Sequence, residues 1–209
     1  MVKLDIKLEE AKQAIGISDF KSDKLLRIAL TDLKDLDRPE ISKIEQESLG
    51  RSYRRLAFLG DSLFDAILAN YLYKVNSALT KEDLHNWRKE VACRESFTEF
   101  AIDLGLPDYS SSWNREKRKP PEEEAGVWGE MFEAVVAVIF IDRNRDFQVL
   151  STWLCDRFIR NAVGARVGDP DYEDGTITEA EYLEMIGSIP LFEIALIPSP
   201  SPSGRREPD

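Results

Sequence analysis

The 209-residue sequence predicts an all-α fold. Three observations carry this expectation. Between Leu56 and Tyr73 the apolar residues Leu56, Leu59, Leu63, Phe64, Ile67, Leu68, Tyr71 and Leu72 recur at the i, i+3, i+4, i+7 spacing of an amphipathic helix. Thr80 followed by Asp83 resembles a capping box with Asp in the place of Glu or Gln, and Gly105 stands where a helix ends. Met131 to Ile141 is apolar almost without interruption. Its β-branched residues also permit a buried strand, in which Glu130 and Glu133 would face opposite ways. The span from Val127 to Asp142 is longer than a typical strand and favours helix.

The elements follow in chain order. Leu25, Leu26, Ile28, Ala29, Leu30 and Leu33 suit one amphipathic helix, and the Leu56–Tyr73 pattern a second. The capping box opens a helix expected from Lys81 to Cys93, and Phe97, Phe100, Ala101 and Leu104 continue into one that stops at Gly105. After the apolar helix, Val149 to Ile159 reads as the last amphipathic helix of the body. Two stretches break the rhythm. Pro107 to Gly126 is a long exposed loop carrying Arg115, Lys117, Arg118 and Lys119. After Gly164 the chain turns Gly-, Asp- and Pro-rich, so residues 1–164 form the expected domain and 165–209 an acidic, partly disordered extension. Within it, Leu191 to Ile197 is apolar between two prolines, and the binding partner of this tail is unknown.

Composition narrows the chemistry. No apolar run reaches about 18 residues, so no membrane span or membrane partner is expected. The charged N-terminus has no signal-peptide core, and the two cysteines, Cys93 and Cys155, are far apart. Both features suit a reducing interior, the cytoplasm or an organelle. The single histidine, His85, leaves no zinc cage and a poor basis for a nucleophilic triad. Neither standard glycine-rich phosphate loop is present. The net charge is −11, and residues 165–209 hold three Arg against ten Asp or Glu, leaving the body near −4.

Three acids fit poorly with a solvated surface. Asp61 shares a helical face with Ala57, Phe64 and Leu68. Glu133 is embedded in the apolar helix, with Glu130 three residues before it on the same face. Both helices are thus expected to carry inward acids near their N-terminal ends. Carboxylates meeting in a core need a countercharge. One candidate is a hard divalent ion, Mg²⁺ with Mn²⁺ as a substitute, held by oxygen ligands and suited to phosphodiester hydrolysis. The other is ion pairing with Arg55 or Arg88. The Leu56–Tyr73 helix also has more apolar surface than one stripe needs, which makes Phe58, Leu59 and Leu63 candidates for a dimer contact.

Arg55-Leu56-Ala57-Phe58-Leu59-Gly60-Asp61 resembles the ribonuclease III signature, and Glu130-Met131-Phe132-Glu133-Ala134 with its apolar run to Asp142 resembles the family's second motif. Phe100 to Leu106 and Ala29-Leu30-Thr31 match two shorter family segments in the same order. The resemblance covers roughly residues 20–160. It implies a helical endonuclease domain that forms a homodimer, binds Mg²⁺ through carboxylates and cleaves double-stranded RNA. On it, Asp61 and Glu133 match the catalytic, metal-binding acids, and Glu130 stands where the family has Asp. Three positions depart: Ala57 replaces the signature's internal Glu, Arg54 its first Glu, and Asp32 an early His. No double-stranded-RNA-binding domain is expected in the acidic tail. That layout is closest to the mini-ribonuclease III branch, which also carries Ala at the position of Ala57 and a basic loop before the second acidic helix. RNA contact is expected from Arg51, Arg54 and Arg55 and from Arg115, Lys117, Arg118 and Lys119. The competing expectation, supported by Ala57, is a catalytically weakened RNA-binding or assembly protein.

Overall fold

The computed structural model describes residues 6–17, 19–37, 39–75, 79–111 and 125–167; the loop cations Arg115, Lys117, Arg118 and Lys119 and the tail from residue 168 onward lie outside the described residues. Among the described residues the elements are α1 (Leu8–Ile15), α2 (Asp23–Ala29), a 3₁₀ turn (Leu33–Leu36), α3 (Lys43–Val75), α4 (Lys81–Val91), α5 (Arg94–Asp103), α6 (Leu106–Tyr109), α7 (Ala125–Asp142), α8 (Phe147–Leu154), a π turn (Cys155–Ile159) and α9 (Arg160–Val167). No strand occurs among them, and the Met131–Ile141 run is helical.

Helix α7 is the axis of the fold. Met131, Phe132 and Ala134 through Ile139 are completely buried, because α3 packs along one side and α5 along another. An all-round apolar sequence is what such a position requires. Phe64 of α3, Phe97 and Phe100 of α5, and Phe132 of α7 interlock behind this junction. Phe64 meets Phe97 edge to face at 4.8 Å, and Phe132 meets Phe100 at 5.4 Å. Such offset and edge contacts suit the ring quadrupoles and hold the three helices in register.

Gly60 sets how closely α3 and α7 approach. A β-carbon there would collide with the backbone carbonyl of Glu133. The signature's glycine is therefore a contact point between the two acid-bearing helices rather than a break in α3.

Several boundaries differ from the sequence expectation. Helix α3 begins well before Leu56, because Ser42 and Glu45 form their own cap: the Glu45 N–H donates to Ser42 Oγ at 3.3 Å, and Ser42 Oγ donates to Glu45 at 2.9 Å. Its first turns are largely polar and give little periodicity. Asp61 consequently lies in mid-helix, not near an N-terminus. The expected Leu25–Leu33 helix ends at Ala29 and gives way to the 3₁₀ turn, which Asp32 caps by accepting from the Lys34 N–H at 2.9 Å. The expected Val149–Ile159 helix is α8 from Phe147 followed by the π turn. The capping box at Thr80 and Asp83 forms both of its reciprocal bonds, and Gly105 takes the left-handed φ of 68° after α5.

Candidate active site

Helices α3 and α7 bring Asp61, Glu130 and Glu133 to one open cavity of about 590 Å³. Lys34 from the 3₁₀ turn and Cys93, Arg94 and Phe97 at the start of α5 also line it. Sequence spacing places the acids together correctly but misjudges their depth. Asp61 is exposed, Glu130 is exposed and Glu133 is half-buried. The buried stripe of α3 runs through Gly60 and Phe64, and the next residue along a helix turns about 100° from its predecessor. Asp61 therefore emerges on the flank of the stripe, where the cavity opens, instead of entering the core.

The electrostatics bear the mark of this gathering. Glu133 is pushed up to about 8, first by loss of water around it and then by the negative charges of Asp61 and Glu130; Arg94 opposes the rise. Asp61 is also raised. Although the residue is exposed, the surrounding helices withhold part of its carboxylate's water, and Asp65 adds repulsion against the attraction of Arg88. Arg88 Nη1 is itself tied to Asp65 Oδ2 at 2.9 Å. Arg88 thus pairs with an acid that the sequence reading did not single out, and Asp61 and Glu133 form no ion pair among the described residues.

The donor set consists of carboxylate oxygens with no imidazole, which suits a hard cation. Among the described residues, no three acidic, histidine or cysteine side chains converge into a closed cation site. The wall is open, with room for water or substrate oxygens beside the carboxylates. Mg²⁺ characteristically keeps such ligands. When bound, the ion would supply a water nucleophile and neutralise charge on a phosphate.

Other expected positions fall elsewhere. Ala57 is buried, one turn before Asp61, and presents a methyl group where the signature has a carboxylate. Arg51, Arg54 and Arg55 are exposed and line a separate depression on α3 with Glu47, Phe58 and Leu59. The candidate RNA cations thus share a surface with two of the candidate dimer residues. Phe58 is 75% exposed, while Leu59 and Leu63 are half-buried against the core. Asp142, which closes the second motif, is buried and accepts from the backbone N–H groups of Lys21 at 2.7 Å and Ser22 at 3.0 Å. It anchors the start of α2 and stands apart from the cavity. Sequence reasoning did not single out Lys34 or Arg94 as site residues; Arg94 was detectable only as a cation beside a helix start, and nothing local marks Lys34.

Residues 54–144 match the family model of the Ribonuclease III domain. Ribonuclease 3 of Lactiplantibacillus plantarum is 25% identical over 164 residues, covering 77% of this chain and 68% of that protein. The Lactobacillus johnsonii enzyme is 29% identical over 136 residues, covering 65% of this chain and 56% of its own length. The Magnetococcus marinus enzyme is 27% identical and covers 90% of this chain and 74% of its own length. In fold, the chain resembles the nuclease domain of Campylobacter jejuni ribonuclease III, with a TM-score of 0.57, 21% identity, and coverage of 78% of this chain and 100% of that one. That domain is described as having structural flexibility in a region involved in dimer formation. The match runs from the signature helix to the end of α7, across both helices that carry the acids, and over this stretch the chain is similar to the ribonuclease III family.

Proposed function

We propose that this chain is a metal-dependent endoribonuclease that hydrolyses phosphodiester bonds in double-stranded RNA as a homodimer. The observation that carries the reading is the cavity lined by Asp61, Glu130 and Glu133, where loss of water, and for Glu133 also the charges of Asp61 and Glu130, disfavours the ionised carboxylates. Partly desolvated carboxylates gathered at one cavity gain by sharing a divalent cation. Asp61 and Glu133 act as its main ligands and Glu130 assists directly or through water; Mn²⁺ substitutes for Mg²⁺. Duplex RNA is recognised by shape and backbone, so a sequence-independent basic surface suffices for binding. Arg51, Arg54, Arg55 and the loop cations Arg115, Lys117, Arg118 and Lys119 are its proposed members, and Phe58, Leu59 and Leu63 the proposed dimer contact. The similarity to ribonuclease 3 proteins supports the endoribonuclease part of this reading.

Ala57 favours a second reading, a ribonuclease III-like RNA-binding or assembly protein with weakened catalysis. A duplex RNA incubated with the chain in Mg²⁺, in Mn²⁺ and in EDTA separates the two. The endonuclease gives products in both metals and none in EDTA. Binding without products in either metal would establish the second reading.

A further inference from the structure

The geometry points to Arg94 as a phosphate-binding residue that holds the RNA backbone over Asp61 and Glu133. This assignment rests on the endonuclease reading and adds to it a residue that the acid motifs do not contain. Arg94 opens α5 and lines the same cavity as Glu130 and Glu133. Its side chain is exposed and, among the described residues, makes no hydrogen bond or ion pair. Other cations of the domain are committed: Arg88 to Asp65 at 2.9 Å, Arg143 to Asp19, and Lys12 to Glu9 and Asp23.

Its backbone, by contrast, is fixed. Thr98 Oγ1 donates to the Arg94 carbonyl at 2.8 Å, and the following Ser96, Phe97 and Thr98 are buried. The side chain therefore starts from a fixed point on the cavity lining. Its influence on Glu133 places its charge within reach of the acids.

Charge balance shows what the guanidinium is for. Three ionised carboxylates around one divalent ion leave a net negative charge, which would repel a phosphodiester. A cation lining the same cavity offsets it and offers a planar fork of donors matched to phosphate oxygens. Arg94 would donate to non-bridging oxygens of a phosphate while the carboxylates face it from α3 and α7. No bond to Arg94 forms or breaks in the reaction, so its role is binding and charge stabilisation.

The test compares the parent chain with Arg94→Ala and Arg94→Lys. Turnover of a duplex RNA is measured in Mg²⁺, and binding of the same duplex in Ca²⁺ across a KCl titration, with thermal melting as a folding control. Arg94→Ala should lower kcat by about tenfold or more, as loss of one charge-stabilising donor does elsewhere. Its log–log salt slope should fall by about 0.7–0.9, the value of one phosphate contact on DNA. Arg94→Lys, which keeps the charge and loses the fork, should keep the parent's salt slope and recover part of the turnover. Unchanged turnover and salt slope in Arg94→Ala, with the parent active, would overturn the assignment alone. A parent that binds duplex but cuts nothing would defeat the endonuclease reading, and the salt slope would still decide whether Arg94 contacts phosphate.

Discussion

Gly60 of α3 lies directly against the backbone carbonyl of Glu133 on α7. Because Asp61 follows Gly60, this one contact sets the distance between the two principal acids. Gly60→Ala should force the helices apart, destabilise the fold by about 1–3 kcal/mol and slow cleavage beyond what partial unfolding explains. Thermal melting and turnover corrected for the folded fraction are the measurements; an alanine variant with the parent's melting temperature would refute the close approach.

Asp61→Asn and Glu133→Gln should each abolish Mg²⁺-dependent cleavage while leaving circular dichroism and oligomeric state unchanged. Each substitution removes ligand charge at nearly constant volume. Turnover near that of the parent in either variant would remove that residue from the site.

The pH dependence of the metal-free protein follows from Glu133. Its folded-state value of about 8 lies above the ordinary 4.5. The unfolded chain therefore releases this proton first, and ionisation favours unfolding as pH rises. The contribution is complete below 4.5 and is lost between 4.5 and about 8. In EDTA, the parent should lose stability across that window more steeply than Glu133→Gln, as read by urea midpoints at several pH values. Parallel curves would show that Glu133 is not strained by its neighbours.

Asp142→Ala should behave differently from the site variants. It strips the Lys21 and Ser22 N–H groups of their acceptor at the start of α2 and leaves the Arg143 guanidinium without the Asp142 carboxylate at 3.6 Å. A cost of about 1–3 kcal/mol is expected for buried donors left unpaired. Cleavage per folded molecule should be unchanged, which chemical denaturation combined with turnover at low temperature would establish.

Phe58 exposes 75% of its surface on α3 beside Leu59 and the arginines. If this face joins two copies, Phe58→Asp should convert a homodimer to a monomer in sedimentation at micromolar concentration. A parent that is already monomeric would defeat the dimer assignment.

The sequence by itself determined the helical class, the central place of α7, the cap at Thr80, the turn at Gly105 and the gathering of Asp61, Glu130 and Glu133. Each of these is local: a 3.6-residue period, a side chain bonding its own backbone, or carboxylates embedded in an apolar run. The long polar start of α3 was legible only through Ser42 and Glu45, because polar turns leave no hydrophobic period. Tertiary structure decided the rest. Asp61 emerges on the flank of its stripe because Gly60, not Asp61, takes the place against α7. Arg88 goes to Asp65, Asp142 goes to the start of α2, and Lys34 and Arg94 line the acids' cavity from elements remote in sequence. Spacing along one helix states which residues share a face; where that face stops being covered depends on the neighbouring helices, and these meet it only in the folded chain.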